Sequence, residues 1–471
     1  MATAPFDLME EAKRLIRFNT VTWQSNAECA VYVGSLLRKL GIDLFYQDNR
    51  VEDTLFMNVV GMVGRGKEPI LLTTHLDTVD AGDPRLWTKT AGDPWKLVKR
   101  GDTLYGLGAA DTKLDLLCKL LAVSSINRSK LKRPILLLGT FGEESGLRGA
   151  ARFCQGEFPK PQMALVGEPS ELNLVTQHKG LAVVEILFKE RGLHRPSSPE
   201  WVYEVTFSGE AVHSSTPELG KNAIEASVQF LRDLQKRHKK VAVLAWEGGT
   251  GHNVIPASAR LRFSLGEGPK AAVASNARQR VKVERLEPGW YPRYPWEEAV
   301  WCMETARELL APLEKLKDAV FQPPHLTWNF TWLRETKEGW SLIFDVRALP
   351  GQPIGRMIKS FEKKLIDRFG HPGSSWQFHL ERDNPPLEAD RQSPLVKLAA
   401  SALRSAKLPV KIAAKSGCSE AGLYRRVGIP SVVIGPGRSR GNIHRPNEAI
   451  SIRQLKSAVK FYKAFLEKAC F

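Results

Sequence analysis

The stretch from Pro69 to Asp77 reads P-I-L-L-T-T-H-L-D. A short, continuous apolar run bounded by turn signals is the pattern of a strand buried on both faces, and such strands belong to parallel sheets. Three further runs share the pattern: P-I-L-L-L-G (Pro134 to Gly139), Q-M-A-L-V-G (Gln162 to Gly167) and P-S-V-V-I-G (Pro430 to Gly435). Helical stretches lie between them, notably T-K-L-D-L-L-C-K-L-L-A-V-S-S (Thr112 to Ser125). Strands alternating with helices predict an α/β fold with a doubly wound, mostly parallel sheet.

In such sheets ligands collect in the crevice at the carboxyl ends of the strands. His75 follows the first run, Glu143 and Glu144 follow the second in F-G-E-E-S, Glu168 follows the third in V-G-E-P, and His444 follows the fourth in N-I-H-R-P. Asp111, in G-L-G-A-A-D-T-K, instead follows a glycine-bearing turn and begins a helix. Two imidazoles (His75, His444) and three carboxylates (Asp111, Glu144, Glu168) exceed the four ligands of a closed structural zinc site. They suit two metal ions sharing a carboxylate. With no cysteine ligand, and with Glu143 as a spare acid, this is the equipment of metal-assisted hydrolysis.

The middle of the chain changes pattern. From about Gly180 to Glu388 the strands alternate in polarity, as in W-V-Y-E-V-T-F (Trp201 to Phe207) and A-S-A-R-L-R-F-S (Ala257 to Ser264), which predicts an antiparallel sheet with one wet face. A helix is expected over Gly220 to Leu234, a strand over Leu342 to Arg347, a helix over Ile354 to Arg368 and a strand over Ser375 to Glu381. The order of strand, helix, two strands, helix, strand predicts an α+β sandwich of ferredoxin-like type. The expected organisation is therefore a discontinuous catalytic domain, 1–179 and 389–471, with a lid domain inserted at 180–388. Within the lid, residues 266–339 exceed what joining two strands requires. They carry a predicted helix at Trp296 to Ala311 and a strand pair around His325 to Leu333.

Composition excludes several classes. The 471 residues are 43% hydrophobic and 25% charged, an ordinary globular balance. No stretch approaches the roughly 20 apolar residues that span a bilayer, so no membrane role is expected. The amino terminus runs directly into an amphipathic pattern without an apolar signal core, which predicts a cytoplasmic protein. The six cysteines form no CxxC pair, arguing against a zinc ribbon or a disulfide scaffold. The net charge of +17 is dispersed. Its densest cluster, K-R-H-K-K from Lys236, ends a helical pattern where cations complement the dipole, so no nucleic-acid partner is expected. His178, His252, His371 and His379 read as structural, and Cys418 as an inert thiol.

These motifs together resemble the co-catalytic metallopeptidases and deacylases that include acetylornithine deacetylase, succinyl-diaminopimelate desuccinylase, aminoacylase and carboxypeptidase G, and the resemblance spans nearly the whole chain. It implies one metal held by His75, Asp111 and Glu168, and a second held by Asp111, Glu144 and His444, with zinc foremost and cobalt or manganese as alternatives. Asp77 then orients His75. Glu143 is the general base and acid for a water bridging the metals. The resemblance also gives His213, in G-E-A-V-H-S-S, the developing oxyanion. Substrate contacts fall to Asn253 of N-V-I-P, Arg347 of D-V-R, and the S-G-C-S-E-A loop that contains Gly417.

The C-S-E-A of that loop is similar to the C-T-E-A of acetylornithine deacetylases, and G-P-G-R-S-R-G-N-I-H (Gly435 to His444) also resembles that branch. Two features depart from the family: Leu114 stands where it has glycine, and the lid is enlarged. The implied function is removal of the acyl group from a small anionic N-acyl amino acid, with N-acetylornithine and hence arginine biosynthesis foremost. A desuccinylase, a dipeptidase or carboxypeptidase on a short peptide, and a non-catalytic peptide- or amino-acid-binding protein are the alternatives. Family dimers pair through the lid, which implies a homodimer, whereas an enlarged lid can occlude the cleft without a partner.

Overall fold

A computed structural model of the protein describes residues 6–189, 192–195, 200–212, 214–238, 240–265, 280–285, 287, 289–373 and 375–471. The chain forms two compact units, Met1–His178 with Asn384–Phe471, and Lys179–Asp383.

The first unit is built on one large mixed sheet. Its strand order is Asp43–Val51, Thr54–Val63, Ile135–Thr140, Ile70–His75, Met163–Gly167, Ser431–Val433, Leu174–His178 and Leu387–Glu388, with Ile412–Lys415 branching from Leu174–His178. The four runs expected from sequence form its parallel centre: Ile70–His75 pairs in parallel with Ile135–Thr140 and Met163–Gly167, and the latter with Ser431–Val433. The flanks run antiparallel, through Thr54–Val63 on one side and Leu174–His178 on the other.

Strand alternation sorts the side chains of that centre between two cores. Ile70, Leu72, Ile135, Leu137 and Leu165 enter one, shared with buried residues of helices Lys113–Ser124 and Ile452–Cys470. Leu71, Leu136, Leu138, Ala164 and Val166 enter the other, shared with Phe153 and Tyr424. Each such leucine, isoleucine or valine contributes roughly 1.5–3 kcal/mol by leaving water. The parallel strands are thus held from both faces, and the loops at their carboxyl ends start from fixed points.

The second unit is an eight-stranded sheet in the order Arg280–Arg285, Trp201–Ser208, Ser258–Leu265, Ala242–Gly248, Thr327–Glu335, Trp340–Arg347, Leu181–Phe188, Trp376–Asn384. Ala259, Leu261 and Phe263 face a core that also takes buried residues of helices Ala223–Arg237, Trp296–Glu314 and Ile354–Phe369. The intervening Arg260 and Arg262 point to the other face, where they pair with Glu247 and Glu284. This is the one-wet-face pattern, on a wider sheet than the six-element order predicts. Leu181–Phe188 and Ala242–Gly248 add strands, and the helix of the 266–339 segment packs beside Ile354–Phe369. Residues 266–279, 286 and 288 of that segment lie outside the described residues. Among the described residues no helix is long and apolar enough to cross a membrane.

Candidate metal centre

The loops leaving the parallel strands bring the acids and imidazoles together. His75 ends its strand. Glu143 and Glu144 stand on the turn after Thr140, and Glu168 directly follows Gly167. Asp111 precedes the helix Lys113–Ser124, on a turn where Gly108 adopts a φ of +77°, a conformation open to glycine at little cost. His444 itself has a φ of 57°, which costs a non-glycine residue roughly 1–2 kcal/mol.

Asp111 divides its carboxylate between the two imidazoles. Its Oδ1 lies 3.1 Å from His75 Nε2 and its Oδ2 lies 3.1 Å from His444 Nε2. His75 Nε2 is also 3.9 Å from Glu168 Oε1, and His444 Nε2 is 3.0 Å from Glu144 Oε1. Ligand atoms of His75, Asp111 and Glu144 all lie within 4.8 Å of one another, as do those of His75, Glu143 and Glu168. Atoms bound at about 2.0–2.2 Å to a tetrahedral ion stand about 3.2–3.6 Å apart, a range these spacings bracket from 3.0 to 3.9 Å. The structure thus brings together all five expected ligands and Glu143.

The electrostatics ask for cations. Burial alone would lower both imidazoles, yet Glu144 and Asp111 hold His444 up at about 12, and hydrogen bonds to Asp111 and Asp77 hold His75 well above its ordinary value. Burial pushes Asp111 up, but the same two imidazoles outweigh it and hold the carboxyl far below its usual range. Glu143 is driven well above its ordinary value by burial and by the charge of Glu168. A cluster of buried carboxylates that draws protons on to its neighbours is a place where divalent ions bind favourably.

Asp77, expected to orient His75, lies against that imidazole and against a neighbouring turn. The Nδ1–H of His75 donates to the Asp77 carbonyl at 3.1 Å, with the Asp77 carboxylate 3.6 Å away. That contact leaves Nε2, which faces Asp111, as the nitrogen available to a metal. The carboxylate meanwhile accepts the backbone N–H groups of Glu143 and Glu144, each at 3.1 Å. One acid therefore fixes both an imidazole and the turn that carries two further acids.

Four supports were not singled out in the sequence. Glu448 accepts from the backbone N–H groups of Ala110 and Asp111 at 2.7 and 3.0 Å, pinning the Asp111 turn. Glu420 accepts from Thr140 at 2.6 Å and Thr73 at 3.0 Å on one face of the sheet. On the opposite face, Lys119 and Asp115 form an ion pair of 2.6 Å with side chains 0% and 1% exposed. Their i, i+4 spacing in a helical pattern was the available signal. Lys415 lies 3.2 Å from Glu168 Oε2.

The remaining expected residues are placed as follows. A Cβ at Gly417 would meet nothing within 4 Å among the described residues, so space is open beside that loop. In the second unit, Asn253 is exposed and its carbonyl accepts from the Ser214 N–H at 2.9 Å. Arg347 is buried, 3.4 Å from Asp345 Oδ2, and donates to Ser214 Oγ at 3.2 Å. The D-x-R spacing puts both charges on one face of the strand, which explains the pair. His213 lies outside the described residues.

Comparison with known proteins agrees with this architecture. An acetylornithine deacetylase of Buchnera aphidicola subsp. Acyrthosiphon pisum (strain Tuc7) is 36% identical over 177 residues, 38% of this chain and 40% of the relative. The chain thus spans less than half the length of that curated relative. Among solved structures, aminoacylhistidine dipeptidase from Vibrio alginolyticus superposes with a TM-score of 0.62 at 16% identity, covering 99% of this chain and 97% of that one. An M20 family metallo-carboxypeptidase from Sulfolobus solfataricus does so with a TM-score of 0.60 at 17% identity, covering 98% and 99%. At such identities the likeness is one of fold. The profile of peptidase family M20/M25/M40 matches residues 71–468, and with well over half of the chain inside that match, the protein belongs to this family.

Proposed function

We propose that the protein is a two-metal amidohydrolase that removes the acyl group from an N-acyl amino acid, N-acetylornithine foremost. The observation that carries the reaction class is the divided carboxylate of Asp111, with one oxygen on the His75 side and one on the His444 side. In this reading His75, Asp111 and Glu168 hold one divalent ion and Asp111, Glu144 and His444 the other, with zinc, cobalt or manganese as candidates. When bound, such a pair supplies Lewis acidity to an amide carbonyl and acidifies water.

The protein's own residues do the rest. Glu143 is buried among these acids and its carboxyl is held well above the ordinary range by burial and by Glu168. In this reading its carboxylate accepts a proton from the attacking water and returns it to the departing amide nitrogen. Asp77 keeps Glu143 in place by accepting its backbone N–H. We assign His213, Asn253, Arg347 and Gly417 to the substrate side on the family resemblance. If Arg347 grips a substrate carboxylate, it does so with a guanidinium already oriented by Asp345 and Ser214.

The choice of an N-acyl amino acid over a peptide is supported by the acetylornithine deacetylase relative and by C-S-E-A. All six cysteines are unpaired, which fits the proposed cytoplasmic setting. The test is hydrolysis of N-acetyl, N-succinyl and dipeptide substrates by protein stripped of metal and reloaded with zinc or cobalt. Metal-dependent release of acetate from N-acetylornithine is the expected result. Preference for a dipeptide would move the protein to the peptidase branch, and absence of any turnover with two metals bound would favour a binding protein.

A further inference from the structure

Glu168 presents its two oxygens to different partners. Oε1 stands 3.9 Å from His75 Nε2, on the side of the candidate metal set, while Oε2 lies 3.2 Å from Lys415 Nζ. Both side chains are largely withdrawn from water, 17% exposed for Lys415 and 7% for Glu168. Lys415 ends the strand Ile412–Lys415, which is tied in register to Leu174–His178, so the ammonium is delivered from a fixed backbone. Among the described residues, Glu168 is the one hydrogen-bond partner of that ammonium.

We propose that Lys415 is a positioning residue for the metal held by His75, Asp111 and Glu168: it occupies one oxygen of Glu168 and leaves that carboxylate a single oxygen for the cation. The inference rests on the metal-site reading above. A buried ammonium and carboxylate are costly to separate from one side, so Glu168 cannot easily turn both oxygens to the metal. The ion then keeps a lower coordination number and an open position, as a catalytic site requires. The ammonium also sets a positive charge beside the cation, which lowers metal affinity. Lys415 thus trades tight binding for an unsaturated ion.

This differs in sign from a packing role, where losing Lys415 would loosen the site and weaken metal binding. Metal-free wild type, Lys415→Met and Lys415→Arg are titrated with Co2+ while the visible absorption is followed, and with Zn2+ against a chromophoric chelator. Lys415→Met is expected to bind the first Zn2+ about tenfold more tightly or better, since a repelling charge is gone and a second oxygen is free. Its Co2+ bands should weaken as coordination rises, whereas Lys415→Arg should match wild type in both readings. Unchanged or weaker affinity in Lys415→Met, or an unchanged Co2+ spectrum, overturns the proposal. If thermal unfolding shows that Lys415→Met does not fold, Lys415→Gln is read by the same criteria. Wild type taking up no Co2+ would instead overturn the metal-site reading itself.

Discussion

Replacing Lys119 by Met probes the buried support beneath the candidate site. Lys119 Nζ lies 2.6 Å from Asp115 and also donates to Thr74 Oγ1 at 2.6 Å and to the Thr73 carbonyl. Asp115 accepts from Thr74 at 3.0 Å and from Tyr462 at 2.7 Å. Thr73 and Thr74 are the two residues before His75, so the pair braces the strand that delivers a candidate ligand. Lys119→Met leaves a buried carboxylate without its cation, a loss of about 3–5 kcal/mol. Hydrogen exchange of the amides in the strand Ile70–His75, on chelated protein, reads the opening free energy of this unit alone. The double variant Asp115→Leu with Lys119→Met should return to within about 1 kcal/mol of wild type. A loss under about 1 kcal/mol for Lys119→Met would refute the reasoning.

Three other outcomes are expected. Glu143→Gln should keep its metal content while kcat drops roughly 10²–10⁴-fold, and a nearly active variant would remove Glu143 from the proton transfers. Gly167→Ala should cost about 1–3 kcal/mol in chemical denaturation, since a Cβ there would strike Asp115 Oδ2 and Lys119 Nζ. A neutral Gly167→Ala would show that the pair can shift. Glu420 is raised by burial from 4.5 to about 6, so the folded metal-free protein holds that proton more tightly than the unfolded chain. Its stabilisation is full below pH 4.5 and lost as pH rises through about 6, a change of about 2 kcal/mol. Denaturation of Glu420→Gln over that window should lack this loss, and an unchanged slope would exclude Glu420 as its source.

The parallel centre of the first sheet is legible because its strands are buried on both faces and so read as unbroken apolar runs. Asp43–Val51 and Thr54–Val63 are harder to see. The outer of the two, D-L-F-Y-Q-D-N-R-V, is largely polar and half exposed, with no run and little alternation. The candidate ligands are legible for a chemical reason, since histidines and acids placed just after such strands have few other uses. Their supports are hidden by the opposite logic. Charged residues in a helix ordinarily mark a wet face, yet Lys113, Asp115 and Lys119 are all buried: Asp115 and Lys119 pair with each other, and all three also have partners distant in sequence. Lys113 donates to the Phe18 carbonyl at 2.8 Å, and nothing near either residue signals that pairing. The same holds for Glu448, whose partners are the backbone of a turn more than 300 residues earlier.

The central claim is that Asp111 joins two metal sites, and the most direct measurement is metal content, by plasma mass spectrometry, of chelated protein reloaded with Zn2+, for wild type and Asp111→Ala. Two zinc ions per wild-type chain and a collapse of both in Asp111→Ala are the predicted result. A single zinc in wild type, or two retained in Asp111→Ala, would contradict it.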